Sequence, residues 1–330
     1  MTMAGRPKPG EFEIVRRYLA PLATSPGALG LTDDAALLTP PPRRELVLTV
    51  DAMVAGVHFL DDDPPDLVAR KLMRVNLSDL AAMGAEPLGY LLTTAWPGDL
   101  GEDWIAGFAA GLAADQAIYS CSLLGGDTVS TPGPISLTLT AVGHVAIGGA
   151  VRRSGARIGD AVYVTGSIGD GALGLLALKG ELSGLTPAER DWFAGRYRLP
   201  EPRTAVGPAL VGLAHAMLDV SDGLVADAGH LSECADLAFE LQEALVPLSP
   251  AAARALELQP ELWPRVLGGG DDYELLFTVA PADDARVAAV AAATGVRITA
   301  IGRVVAGTGV RVLDTSGGEV RLPTTGWRHF

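Results

Sequence analysis

Aspartates stand where the apolar runs of this 330-residue chain stop. Asp51 closes the alternating run Leu48-Thr49-Val50, and Asp33-Asp34, Asp79, Asp127, Asp219, Asp222 and Asp271-Asp272 occupy comparable places beside small residues. A carboxylate buried without a partner is costly, and few basic residues accompany these. Magnesium is the partner that fits, because it takes carboxylate and phosphate oxygens together. The spacing therefore predicts phosphate chemistry on metal ions, with the aspartates converging on a nucleotide triphosphate.

Each motif carries a plainer alternative. A lone strand-terminal aspartate such as Asp51 commonly serves a turn, and here His58 and the other carboxylates argue for more. Gly125-Gly126-Asp127 either lets the backbone approach a phosphate or is a tight turn capped by aspartate. Asp219-Val-Ser221-Asp222-Gly223 is a compact metal-phosphate ledge or a helix N-cap, where Ser and Asp are favoured. In Gly268-Gly-Gly270-Asp271-Asp272-Tyr273-Glu274 the glycines imply a close backbone approach, and the alternative is a hairpin with a solvent-facing Glu274. Gly166-Ser-Ile-Gly169-Asp-Gly171 suits an anion at a helix N-terminus, but a structural turn is the first expectation. No P-loop or dinucleotide fingerprint appears, nor the protein-kinase signature set. His58, His144, His215, His230 and His329 make no metal spacing, and no nucleophile triad is legible.

A net charge of −14, from 25 basic and 39 acidic residues, argues against nucleic acid and against an anionic membrane surface as partners. Phosphorylated ligands remain compatible through divalent cations. With 48% hydrophobic residues the chain can bury a substantial core. Cys121 and Cys234 form no metal motif or disulfide framework. No leader-like apolar segment follows Met1, and no run is long enough for a membrane span, so a cytoplasmic setting is expected.

The carboxylates need elements to place them. Periodicity predicts helices over 11–19, 66–83, 104–118, 171–178, 206–216, 224–235 and 283–294. It predicts strands over 35–39, 45–50, 88–95, 120–124, 135–145, 161–165, 216–220, 273–279 and 297–305. Asn76 and Asp79 stack on one helix face. The helix over 283–294 sits in a β-α-β unit. Strands and helices mix without a strict alternation, so the class is α+β. The glycine-rich, basic stretch 148–159 marks the boundary between domains 1–148 and 149–330.

Together these segments resemble the thiamine-monophosphate kinase family, in the superfamily of aminoimidazole ribonucleotide synthetase, selenophosphate synthetase and the hydrogenase-maturation dehydratase. The resemblance runs from Gly10-Glu11-Phe12 through Thr32-Asp-Asp34-Ala-Ala, residues 51–59, Asn76-Leu-Ser-Asp79-Leu-Ala-Ala-Met-Gly84-Ala-Glu-Pro87 and Gly125-Gly-Asp127. It continues in Arg153-Ser-Gly-Ala, residues 219–224 and 269–277, and Gly326-Trp327-Arg-His-Phe330. Gly56-Val-His58-Phe59 and the aromatic C-terminal run favour this family within the superfamily. The resemblance implies transfer of the γ-phosphoryl group of ATP to thiamine monophosphate, giving thiamine diphosphate. It implies several Mg2+ ions held by Asp34, Thr49, Val50 (main chain), Asp51, Asp79, Asp127, Asp219 and Asp222. ATP would meet Gly126, Asp127, Arg153 and Ser221, and thiamine monophosphate would meet His58, Glu274 and Trp327. No general base is expected, because the nucleophile is an anionic phosphate oxygen. The implied fold is two α/β domains: an N-terminal ATP- and magnesium-binding domain whose mixed sheet pairs in a homodimer, and a C-terminal domain completing the active site. Thr32 stands where the family carries glycine, and Ala109 where it carries an ATP-contacting tyrosine. The competing readings are another ATP-dependent enzyme of the superfamily and a non-catalytic acidic metal- or nucleotide-binding protein.

Overall fold

The structure, a computed structural model, describes residues 10–323, 326 and 327. It divides into one unit of Met1–Asn76 with Pro87–His144 and another of Leu77–Glu86 with Val145–Phe330. The architecture is α+β, with one sheet in the first unit and a larger mixed sheet in the second.

The first sheet is built from β1 (Arg44–Val54), β2 (Glu86–Pro97), β3 (Ser122–Thr131) and β4 (Ser136–Ala146), in the order β1-β4-β2-β3. A short helix α1 (Glu11–Ile14), widening into a turn over Val15–Leu19, precedes it. Two long helices accompany it, α2 (Pro65–Ala82) and α3 (Glu102–Tyr119). Helix α2 buries Val68, Leu72 and Val75 at the predicted spacing, but Lys71, Arg74 and Asn76 are buried as well. Its cations are tolerated because Asp115 of α3, fully buried, accepts Arg70 Nε at 2.8 Å and Arg74 Nε at 2.6 Å. Trp104 stacks on Phe108 at 5.4 Å between centroids, and Trp96 meets both edge-on.

The second sheet has the order β10-β7-β9-β5-β8-β6. Its strands are β5 (Ala161–Thr165), β6 (Ala216–Val220), β7 (Ala238–Gln242), β8 (Glu274–Val279), β9 (Ile298–Val305) and β10 (Gly309–Leu313). The helices are α4 (Asp170–Leu178), α5 (Pro187–Arg198), α6 (Val206–Ala209), α7 (Leu224–Ala235), α8 (Pro250–Leu258), α9 (Trp263–Gly268) and α10 (Asp284–Thr294). Alternation along the strands sorts side chains to two faces. Val162, Val164, Leu218, Val220 and Leu276 join Leu173, Leu224 and Ala252 in one core. Tyr163, Met217, Leu275 and Phe277 join Val206 and Val287 in another. Both faces are therefore covered, which explains why these strands read as continuous apolar runs. β5 runs antiparallel to both β8 and β9, so β8-α10-β9 is the expected β-α-β unit with β5 between its strands.

Several expectations change. Residues 35–39 form no strand; most are exposed and their segment is tied by the Leu37 amide to the Gly27 carbonyl at 2.8 Å. β1 runs through Asp51 to Val54, so Asp51 lies within a strand rather than at its end. β3 likewise carries Gly125, Gly126 and Asp127 inside it. The helix expected over 206–216 shrinks to the four residues of α6, because Gly212 turns the chain at a positive φ of 73° and β6 begins at Ala216. β7, α8, α9 and β10 lie outside the predicted elements. Both cysteines are free, Cys121 buried and Cys234 exposed. Among the described residues no helix is long and apolar enough to cross a membrane.

Candidate active site

In the first unit, Thr49, Val50 and Asp51 lie in the middle of β1, with Asp51 half-buried. The Asp51 amide donates to Asn76 Oδ1 at 3.1 Å, while Asn76 Nδ2 donates to the Leu72 carbonyl at 2.9 Å. Asn76 thus uses both ends of its amide to fix β1 on α2. Sequence reasoning saw Asn76 only as a neighbour of Asp79; a buried Asn on an apolar helix stripe was the available signal. Asp34 is exposed, its amide bonded to Asp33 Oδ1 at 3.3 Å.

After β1 the chain reverses so that His58 Nδ1 accepts the Val54 amide at 3.1 Å. A ring nitrogen that accepts carries no proton, so a neutral His58 holds its proton on Nε2. Lys71 Nζ donates to the His58 carbonyl at 3.2 Å and pins the turn.

On β3, Gly126 faces the backbone of β2 so closely that a Cβ would lie 1.8 Å from the Leu92 carbonyl oxygen. Strand packing alone therefore demands glycine there. We expect Gly126→Ala to lower the thermal midpoint by several degrees, and an unchanged melting curve would show that β2 and β3 can separate at this point. Asp127 pairs in register with Thr93 and is exposed. Within this sheet Asp51 and Asp127 stand on opposite edge strands, with β4 and β2 between them. Ala109 is buried in α3.

In the second unit, Asp79 is half-buried in the last turns of α2, and Asp219 is buried on β6 opposite Leu275. The residues after β6 do not cap α7 in the usual way. The N-cap is Gly223, which offers no side-chain bond, so neither Ser221 nor Asp222 caps this helix. The amides of Ser221, Asp222 and Gly223 instead all donate to Oδ2 of Asp227, at 3.0, 3.0 and 3.1 Å. Burial pushes the Asp227 carboxyl up to about 6, against the pull of these amides. Among the described residues, Asp222, Asp227 and His230 offer ligand atoms within 4.8 Å of one another.

The segment before β8 is unusual in its backbone. Asp271 and Tyr273 adopt positive φ of 71° and 53°, conformations that cluster at functional sites. Asp272 is buried and accepts the Gly169 and Gly171 amides at 2.7 and 3.1 Å. Its burial pushes the carboxyl well above the usual carboxylate range. The N-terminus of α4, where an external anion could have sat, is thus filled by the chain's own Asp272, and the turn at Gly166–Gly171 is structural.

Glu274 is fully buried rather than solvent-facing. Its Oε2 accepts Thr165 Oγ1 and Arg203 Nε, each at 2.6 Å. Its Oε1 accepts Arg203 Nη2 and, at 3.1 Å, Arg196 Nη2. Arg153 sits exposed in the turn Arg153–Gly155. The Trp327 amide donates to the Asp222 carbonyl at 3.0 Å while its side chain is exposed. Residues 328–330 of the C-terminal motif lie outside the described residues.

The predicted metal set supplies carboxylate, hydroxyl and carbonyl oxygens only. These are hard donors of the kind magnesium takes, so the residues fit that ion.

Residues 32–145 match the family model for the N-terminal domain of AIR synthase related protein, and residues 157–315 match that for its C-terminal domain. The chain is similar to the thiamine-monophosphate kinase of Caulobacter vibrioides, 44% identical over 97% of this chain and 91% of that one. It is similar to the crystal structure of thiamine-monophosphate kinase from Stenotrophomonas maltophilia K279a. That structure has a TM-score of 0.80 and 38% identity, over 88% of this chain and 91% of the other. It is also similar to AaThiL complexed with AMPPCP and TMP, with a TM-score of 0.78 and 32% identity over 97% of both chains.

Proposed function

The chain belongs to the thiamine-monophosphate kinase family, and from that premise we propose how its residues perform the reaction. The enzyme transfers the γ-phosphoryl group of ATP to thiamine monophosphate, a step of thiamine diphosphate biosynthesis. An oxygen of the acceptor phosphate forms the new P–O bond as the bond to ADP breaks in line. The attacking oxygen is already anionic, so no side chain has to remove a proton. What the protein supplies is alignment and charge neutralisation, the main demands of phosphoryl transfer. The observation that carries this reading is the oxygen-only donor set on β1, β3, α2, β6 and the loop after β6, in a chain of this family.

Asp34, Thr49, the Val50 carbonyl, Asp51, Asp79, Asp127, Asp219 and Asp222 are assigned to hold Mg2+. When bound, magnesium templates the phosphates and offsets their charge. Gly126, Asp127, Arg153 and Ser221 are assigned to ATP. On the acceptor side, His58 offers a ring whose proton sits on Nε2, and Trp327 offers an exposed aromatic face to a cationic heterocycle. Glu274 acts there together with Arg196 and Arg203, which hold its carboxylate.

The working form is a homodimer in the cytoplasm. Leu46, Leu48 and Val50 alternate along edge strand β1 with 37, 64 and 58% exposure, and Leu91 and Val129 are also exposed on this sheet. A second copy covering them would remove an apolar row that water otherwise meets.

Incubation with ATP, Mg2+ and thiamine monophosphate yields thiamine diphosphate and ADP, separable by chromatography. ATP turnover that depends on a different acceptor would transfer the chain to a sibling reaction. For Trp327→Ala we expect KM for thiamine monophosphate to rise roughly tenfold, as loss of one cation–π contact allows, with kcat changed less. An unchanged KM would place the aromatic contact elsewhere.

A further inference from the structure

The loop after β6 is bound on both edges of its backbone. Its three amides, from Ser221 to Gly223, converge on a single oxygen of Asp227. Carbonyls are also taken, from the last residue of β6 onward: Val220 by the Tyr273 amide at 2.8 Å, Ser221 by the Asp271 amide at 2.9 Å, and Asp222 by the Trp327 amide at 3.0 Å. Gly223 is buried, and its φ of 124° is a conformation that other residues rarely adopt. Three charge-assisted bonds on one carboxylate oxygen are stronger than neutral ones. They also saturate that oxygen, so Oδ2 has no capacity left for a metal.

We propose that Asp227 is a positioning residue for the reaction. It stands in the first turns of α7 and reaches back over the helix start to gather the amides of the preceding loop. Unheld, three amides in a row would compete for the side chains of Ser221 and Asp222, which are the natural caps for such groups. With Asp227 satisfying the amides, the hydroxyl and carboxylate are kept for nucleotide and Mg2+. The bond from Trp327 to the Asp222 carbonyl ties the acceptor-side aromatic to the same loop. This inference rests on the kinase reading for the ligand it names, while its geometry is independent of that reading.

The test is the affinity of the full chain for Mg2+–AMPPCP, measured by isothermal titration and compared between variants and the parent protein. Asp227→Ala is expected to weaken binding about a hundredfold. Asp227→Asn, which keeps an acceptor but loses the charge, is expected to weaken it about tenfold. Ser249→Ala, which removes a bond to buried Asp170 in the same unit, is a control that lowers the melting temperature but leaves nucleotide affinity unchanged. A folded Asp227→Ala protein whose affinity stays within threefold of the parent overturns the proposal. If that variant does not fold, Asp227→Asn decides by the same threefold limit. The kinase reading is judged separately, by whether the parent protein makes thiamine diphosphate.

Discussion

Asp51→Asn lowers kcat by roughly a thousandfold, the upper range for removing one electrostatic stabiliser from a transition state, while the fold survives. The two halves of this expectation come from different atoms. One bond that anchors residue 51 in the fold comes from its main-chain amide, held by Asn76 Oδ1 at 3.1 Å within β1. Asparagine leaves that bond and the strand untouched. What the substitution removes is the charge, and an amide oxygen is a far poorer partner for a divalent cation that must sit beside phosphates. Circular dichroism and a thermal melt check the fold; turnover as a function of Mg2+ checks the chemistry, with half-saturation moving to higher concentration. Near-normal turnover in a folded variant would remove Asp51 from the metal site. Asn76→Ala is the informative companion. It leaves the carboxylate in place but releases the strand, so it should raise the Mg2+ requirement less steeply and lower stability more.

Local signals were legible where they were local. The bounds of β5 and α7 coincide with those expected from apolar pattern and turn residues, because β5 lies between Gly159 and Gly166, α7 starts after Gly223 and ends at a left-handed Asp236, and each buries a repeating face. β7 was hidden because Glu240 sits at the centre of Ala238-Phe-Glu-Leu-Gln. That carboxylate is made tolerable by Arg303 at 2.8 Å and Arg311 at 2.6 Å, more than sixty residues away. The acidic positions of the site were legible as types, since an aspartate inside an apolar run needs explaining wherever it falls. Their roles were not, because a role is set by the donors that surround the group. Asp222 and Asp227 differ little as sequence. In the structure three amides bind Asp227 through a single oxygen, and Asp222 contributes one of those amides as a donor. Asp272 closes the N-terminus of α4 through glycines about a hundred residues earlier, a contact its sequence neighbours do not announce. Asp51 and Asp127 looked like strand ends because the apolar pattern stops there, whereas β1 and β3 continue on main-chain bonds that periodicity does not register.

Glu274→Ala should destabilise the protein by about 3–5 kcal/mol, the usual consequence of removing one partner from a buried ion pair. The side chain is wholly inaccessible and accepts from Thr165, Arg196 and Arg203. Alanine strands two guanidinium groups that are themselves about nine-tenths buried. Among the described residues, Glu201, largely exposed, remains beside both arginines, with Arg196 also 4.0 Å from Asp170. Urea unfolding followed by fluorescence measures the loss, and a change below about 1 kcal/mol would mean that water or a rotated arginine replaces the carboxylate freely. The double variant Glu274→Leu with Arg203→Met separates the pair's net worth from the penalty of breaking it. A buried pair exchanged for apolar groups of similar volume is often close to neutral, so the double variant should recover much of the stability. It should not recover activity. Restored stability together with an unchanged KM for thiamine monophosphate in that double variant would show that the network serves the fold alone. Restored stability with a raised KM would show that the carboxylate and its arginines act on the acceptor, a role that stability measurements alone could never separate from packing.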